Sequence, residues 1–115
     1  MIRKNHEMEK EVRERMRDGE GKVEILHVFR SRELKGHTRL FARLRLPAGS
    51  SIGFHRHDGE EEIFYILSGN GMVGEGGPLS PVGPGDAVLT GGGGGHSIAN
   101  AGPEPLELMA VILVY

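Results

Sequence analysis

Residues Gly49 to Gly69 read GSSIGFHRHDGEEEIFYILSG, two histidines and three consecutive glutamates followed by an apolar run, with glycines at both ends. Side chains alternate along an extended chain, so His55 and His57 point to one face of a strand. The turn chemistry around Asp58 and Gly59 reverses the chain. Glu62 follows on the next strand, and its period-two partners Phe64 and Ile66 suit an interior face. A third imidazole, His96, opens the segment HSIAN after a run of five glycines. Three imidazoles and one carboxylate form a borderline donor set, suited to one divalent transition metal (Mn, Fe, Ni, Zn, Co or Cu) and less so to Ca or Mg. An H-x-H pair taken alone is equally a structural feature, and His6, His27 and His37 read as structural histidines.

Outward from this stretch the chain breaks into short extended segments: KVEILHVFR, HTRLFARLRL, SIGFH, EEIFYIL, GMVGE, DAVLT, HSIAN and LELMAVILV. Turn residues separate them, as in LPAGS, LSGNG, GGPLSPVGPGD and NAGPEP. Short strands joined by brief turns predict an all-β sandwich or small barrel. The 19 glycines and the low aromatic content of 5% agree with many tight turns. A chain of 115 residues holds one core. The H-x-H of certain TIM-barrel hydrolases is thereby excluded, because that barrel needs ~250 residues.

Residues 1–20 differ from the rest, with six basic and six acidic side chains. Met8, Val12 and Met16 recur at every fourth place, and Glu9/Arg13 and Glu11/Arg15 are spaced as i,i+4 pairs. This predicts a short helical or extended surface arm over 1–20, followed by a single barrel domain over 21–115. Fourteen basic against sixteen acidic side chains, with no basic run beyond Met16, argue against nucleic acid. No apolar run is long enough for a signal peptide or a membrane span, and cysteine is absent. The expected location is the cytoplasm. IFYIL and LELMAVILVY are apolar on both faces, which predicts a covered outer sheet face and hence a homodimer.

The spacing of the histidine stretch resembles the cupin superfamily. The first cupin motif is matched at Gly49, His55, His57, Glu62 and Gly69, and the second at Gly85, Gly93, His96 and Asn100. The departure is Gly91, which stands where the family has proline. The fifteen residues between Gly69 and Gly85 resemble the short spacing of small single-domain bacterial cupins. The resemblance implies a double-stranded β-helix, or jelly roll, with His55, His57, Glu62 and His96 as metal ligands. Among the three glutamates, the family's count back from Gly69 selects Glu62 over Glu61, and Glu60 fits neither count.

By strand parity Phe64, Ile66, Ile98 and Asn100 face the same interior as the ligands, with Ile52 near the mouth, giving a mostly apolar substrate pocket. Core packing is the plain reading of Phe64 and Ile66, and turn-holding that of Asn100. Four protein donors on a six-coordinate ion leave two positions for a small-molecule ligand or substrate. The resemblance implies dioxygenases, decarboxylases, isomerases and non-catalytic small-molecule binders. A metal-dependent enzyme acting on a small oxygenated metabolite is the expectation, and a binding or sensing protein the alternative. In oxalate decarboxylases an arginine precedes the first motif histidine by three places, where this chain has Ile52, which weighs against that reaction. Arg39, Arg43 and Arg45 alternate with leucines and read as an outward row. No basic cluster adjoins the motifs, which argues against a sugar phosphate.

Overall fold

The computed structural model describes residues 1–115. Strands form where apolar and polar residues alternate or where an apolar run is bounded by turns. They are β1 (Glu9–Glu14), β2 (Lys22–His27), β3 (Thr38–Leu46), β4 (Ser51–Arg56), β5 (Glu60–Ser68), β6 (Gly71–Gly74), β7 (Leu79–Val82), β8 (Ala87–Gly91), β9 (Gly95–Asn100) and β10 (Leu106–Val114). They build two antiparallel sheets, ordered β1-β2-β3-β10-β5-β8 and β4-β9-β6-β7. This is the expected all-β jelly roll. No helix is long and apolar enough to cross a membrane.

Between the sheets lies one apolar core, to which β2 gives Val23 and Ile25, β3 gives Leu44 and Leu46, and β10 gives Leu106 and Leu108. Two of the three β3 arginines point outward as expected, Arg43 pairing with Glu107 at 3.0 Å and Arg45 with Glu24 at 3.8 Å, whereas Arg39, expected in the same row, lines an interior cavity. Strand β7 escaped the sequence reading because Pro81 interrupts it. It lies at a sheet edge, where a missing amide donor is tolerated.

The N-terminal segment takes the extended alternative, and the helical stripe does not form. Glu9 to Glu14 pair antiparallel with β2, in register from Glu9 opposite His27 to Glu14 opposite Lys22. A lone helix this short is marginal in water, whereas the free edge of β2 offers a full ladder of backbone partners. Val12, expected on an apolar face, is 51% exposed, and only Met16 packs on the core. The expected i,i+4 pairs are replaced by an Arg13–Glu11 pair and by Glu9 held between Arg30 and Arg32. The segment read as an arm is thus an edge strand of the larger sheet.

Beyond β1 the chain crosses to the other sheet as a strap. A 3-10 turn at Met16–Asp18 lies against β4, and the Ser51 amide donates to the Glu20 carbonyl at 2.9 Å. Arg15, Arg17 and Asp18 have φ of 50°, 53° and 62°, a left-handed run without glycine. Each such residue costs about 1–2 kcal/mol, so the surrounding contacts hold the strap in place. Those contacts depend on Gly19 and Gly53. A Cβ on Gly53 would lie 1.9 Å from the Arg17 carbonyl oxygen, and one on Gly19 would lie 2.2 Å from that of Ser51.

The outer face of the larger sheet carries the apolar surface expected from the two-sided strands. Tyr65 pairs with Met109, and Ile63 pairs with both Val111 and Leu89, making a patch across three neighbouring strands. Tyr65 is 48% and Leu89 63% exposed.

Candidate metal centre

The structure brings His55, His57, Glu62 and His96 together, with one donor atom of each within 4.8 Å of the others. His55 is the penultimate residue of β4 and His57 follows the strand. His96 sits directly opposite His55 on β9. Glu62 arrives from β5 of the other sheet, so the cluster bridges the two sheets. A register shift between Ile52 and His55 inserts a bulge at Gly53 and Phe54. The bulge lets Ile52 and His55 share the interior although three residues apart, which simple alternation forbids.

The ring orientations show which nitrogens carry lone pairs. His55 Nδ1 donates to the Gly53 carbonyl at 2.8 Å, and His57 Nδ1 donates to the Glu60 carboxylate. In the neutral imidazoles their Nε2 atoms are acceptors that face inward. His57 Nε2 lies 3.1 Å from His96 Nε2 and 3.0 Å from Glu62 Oε1, and His96 Nε2 lies 2.9 Å from that same oxygen. One proton on His96 Nε2 can satisfy only one of its two acceptor neighbours, leaving lone pairs opposed in a buried site. A cation among them satisfies all four donors, so the residues fit a divalent transition metal.

Burial, the largest influence on Glu62, pushes its carboxyl up, but His55, His96 and His57 together hold it below the ordinary range. Glu62 thus stays anionic, as a ligand must. Behind His57 stands a second pair. Arg39 grips Glu60 with two bonds of 2.9 Å, and this grip, helped by the His57 bond, takes the Glu60 carboxyl down to about 2. Glu60, which fits no motif position, orients the His57 ring. His96 is held by packing instead: it stacks on Phe64 with ring centroids 4.7 Å apart, and its buried Nδ1 has no partner.

A cupin-domain family model matches residues 42–112. The chain belongs to the cupin family. It is 42% identical over 114 residues to a Thermotoga maritima protein named oxalate-binding protein, covering 99% of this chain and 94% of that one. It is 32% identical over 93 residues to an uncharacterised protein of Methanocaldococcus jannaschii, covering 81% of this chain and 72% of the other. Among solved structures, a Thermotoga maritima protein described as a predicted oxalate decarboxylase superposes with TM-score 0.95 at 42% identity, covering all of both chains. The cupin domain of Schizosaccharomyces pombe Cnp3, at 15% identity and TM-score 0.73 over 91% of this chain and 69% of that one, shares the fold.

The missing proline at Gly91 has a local explanation in this cupin. A Cβ there would lie 2.6 Å from Glu61 Cβ and 3.0 Å from the Glu60 carbonyl, so the strand leaves no room for a ring. The glycine loop that follows is tied to the centre, since the Gly93 amide donates to the His57 carbonyl and the His57 amide to Gly94, each at 2.9 Å.

A cavity of about 160 Å³ opens onto His55, His57 and Glu62. Of the expected pocket residues, Ile52 and Phe64 line it. Ile66, Ile98 and Asn100 do not: the two isoleucines lie deeper in the closed core. Asn100 bonds the Leu46 and Glu104 carbonyls at 2.9 and 2.8 Å and accepts from the Gly102 amide at 2.9 Å, which pins a turn. Parity gave the right face but not the depth along the barrel.

The larger correction concerns charge. Arg13, Arg17, Arg30 and Arg39 line the same cavity, with His27. The cavity is therefore not mostly apolar, and basic groups do converge near the motif residues. Sequence proximity hid them, because they come from β1, the strap, the end of the β2 segment and β3. The usable signal was the density of arginine in residues 13–17 beside Gly19, which read as a solvated arm. His27, read as structural, is 6% exposed and hydrogen-bonds the Glu11 carboxylate on the cavity wall.

Proposed function

We propose that this cupin uses one divalent transition metal to bind a small carboxylate dianion of the oxalate class. The observation that carries the reading is a single cavity joining metal-donor side chains to four arginines. His55, His57, Glu62 and His96 would hold the ion, which when bound supplies Lewis-acid affinity for oxygen donors. Of the arginines, three of which pair with Glu11, Glu9 and Glu60, Arg17 is left to add positive charge that favours an anion over a neutral sugar. The Thermotoga maritima relative named oxalate-binding protein supports the same ligand class.

A catalytic reading, with decarboxylation as the reaction, is favoured by one feature. His27, hydrogen-bonded to Glu11, is a buried proton-holding group on the cavity wall that is not among the metal donors. Release of formate and carbon dioxide from oxalate, lost in His27→Ala, would select it.

Calorimetry of metal-loaded and chelator-treated protein with oxalate, malonate and acetate tests the binding reading. Oxalate is expected to bind at least about tenfold more tightly than acetate, and only with metal present. Metal-independent binding, or equal affinity for acetate, would overturn it.

The apolar patch around Tyr65 and Leu89 supports a homodimer through the outer face of the larger sheet. Light scattering after size exclusion is expected to give a dimer mass for the native chain and a monomer mass for Leu89→Lys. A monomer of the native chain at micromolar concentration would end that proposal.

A further inference from the structure

We infer that Arg17, on the left-handed strap, is the residue that recognises the anion at the metal centre. The inference rests on the carboxylate reading above and names the side chain that selects the ligand. Of the four arginines on the cavity, three are already committed to carboxylates. Arg13 bonds Glu11 at 3.1 Å, Arg30 bonds Glu9 at 2.9 Å, and Arg39 holds Glu60 through two bonds of 2.9 Å. Arg17 alone has neither a hydrogen bond nor an ion pair, yet it lines the cavity with His55, His57 and Glu62. A planar guanidinium with all its donors free is suited to two-point recognition of a carboxylate.

The backbone supports the same assignment. Arg17 has φ 53° and ψ 38°, an uncommon conformation for a residue with a side chain. Such strain persists where surrounding contacts fix it, and it concentrates at ligand-binding positions. Here the fixing contact is the approach of the Arg17 carbonyl to Gly53, the bulge residue whose own carbonyl orients His55. One glycine therefore sets the position of both the free arginine and a metal donor. The arrangement also accounts for Ile52. Ile52 leaves its wall of the cavity apolar, and the strap brings Arg17 to the same cavity from a different part of the sequence.

The test is oxalate calorimetry on manganese-loaded native protein, Arg17→Gln, Arg17→Lys and Arg45→Gln, with metal content and thermal midpoint measured on each. Arg45 carries the same charge on the outer sheet face, where it pairs with Glu24. Arg17→Gln is expected to weaken oxalate binding about 10- to 100-fold, with metal content and midpoint unchanged. Arg17→Lys should recover part of that loss, and Arg45→Gln should bind as the native chain does. Native affinity in Arg17→Gln overturns the inference while leaving the carboxylate reading intact. An equal loss in Arg45→Gln, or a loss that merely tracks departing metal, also overturns it. Absence of oxalate binding by the metal-loaded native protein removes both.

Discussion

Replacing His96 with alanine is expected to lower bound divalent metal from about one equivalent per chain to under about a tenth, measured by plasma mass spectrometry after gel filtration. His96 Nε2 faces both Glu62 and His57, so its loss removes one donor and one wall of the cluster. Glu60→Gln should have a graded effect. Glu60 does not face the cluster but fixes the His57 ring, and loss of such a partner typically costs 10- to 100-fold in affinity. Glu61→Gln should leave affinity unchanged, because Glu61 lies on the outward parity of β5. Metal binding should also stabilise the fold, since the donors come from both sheets. At a free metal concentration about 100-fold above Kd the gain is about 2.7 kcal/mol, and it should vanish in His96→Ala. Full metal occupancy in that variant would show that the cluster is not the centre.

How much of this was legible beforehand depended on whether a feature is local in the chain. The three histidines and Glu62 were readable because motif spacing and strand alternation place them without long-range knowledge. An all-β sandwich or small barrel was readable from eight short segments and their turns, and the jelly roll from the resemblance carried by the motif spacing. Three things were not. The bulge at Gly53 depends on the pairing of β4 with β9, and only that pairing puts Ile52 beside His55. The depth of Ile66 and Ile98 depends on how far each strand runs past the ligand end. The arginines converge from four separated segments, and the strand β1 that carries Arg13 forms because β2 offers a free edge, which no window over residues 1–20 contains. Arg13, Met16 and Arg17, from the segment read as a short helical or extended surface arm, therefore line the cavity beside the metal donors.

Gly53→Ala is expected to be among the most disruptive single changes in the chain, because one methyl group would have to occupy space now filled by backbone. The added Cβ would sit 1.9 Å from the Arg17 carbonyl oxygen, and 2.9 Å from its carbon. Neither neighbour is the end of a flexible side chain, so either β4 or the strap must move. Strand β4 is paired with β9 on both sides of its bulge and carries His55, whereas the strap holds three left-handed residues and has one apolar anchor, Met16. The strap is the softer of the two and should lift. Lifting exposes Met16 and breaks the bonds that Ser50 and Ser51 make to residues 20 and 22. Burial of one such side chain and a few net hydrogen bonds gives a loss of about 2–4 kcal/mol where the displaced strap keeps its left-handed turns. For a domain of this size that lowers the thermal midpoint by roughly 10 °C. Gly77→Ala is the matched control, because a Cβ there meets nothing within 4 Å, and its effect should stay within about 0.5 kcal/mol. The two sides of the contact are separable by what else is lost. If the strap lifts, metal stays bound and oxalate affinity falls with the displaced Arg17; if β4 gives way instead, His55 loses its orientation and metal affinity falls as well. An unchanged midpoint in Gly53→Ala would mean that the strap does not lie on β4 at all, and the cavity would then lose its roof and its free arginine together.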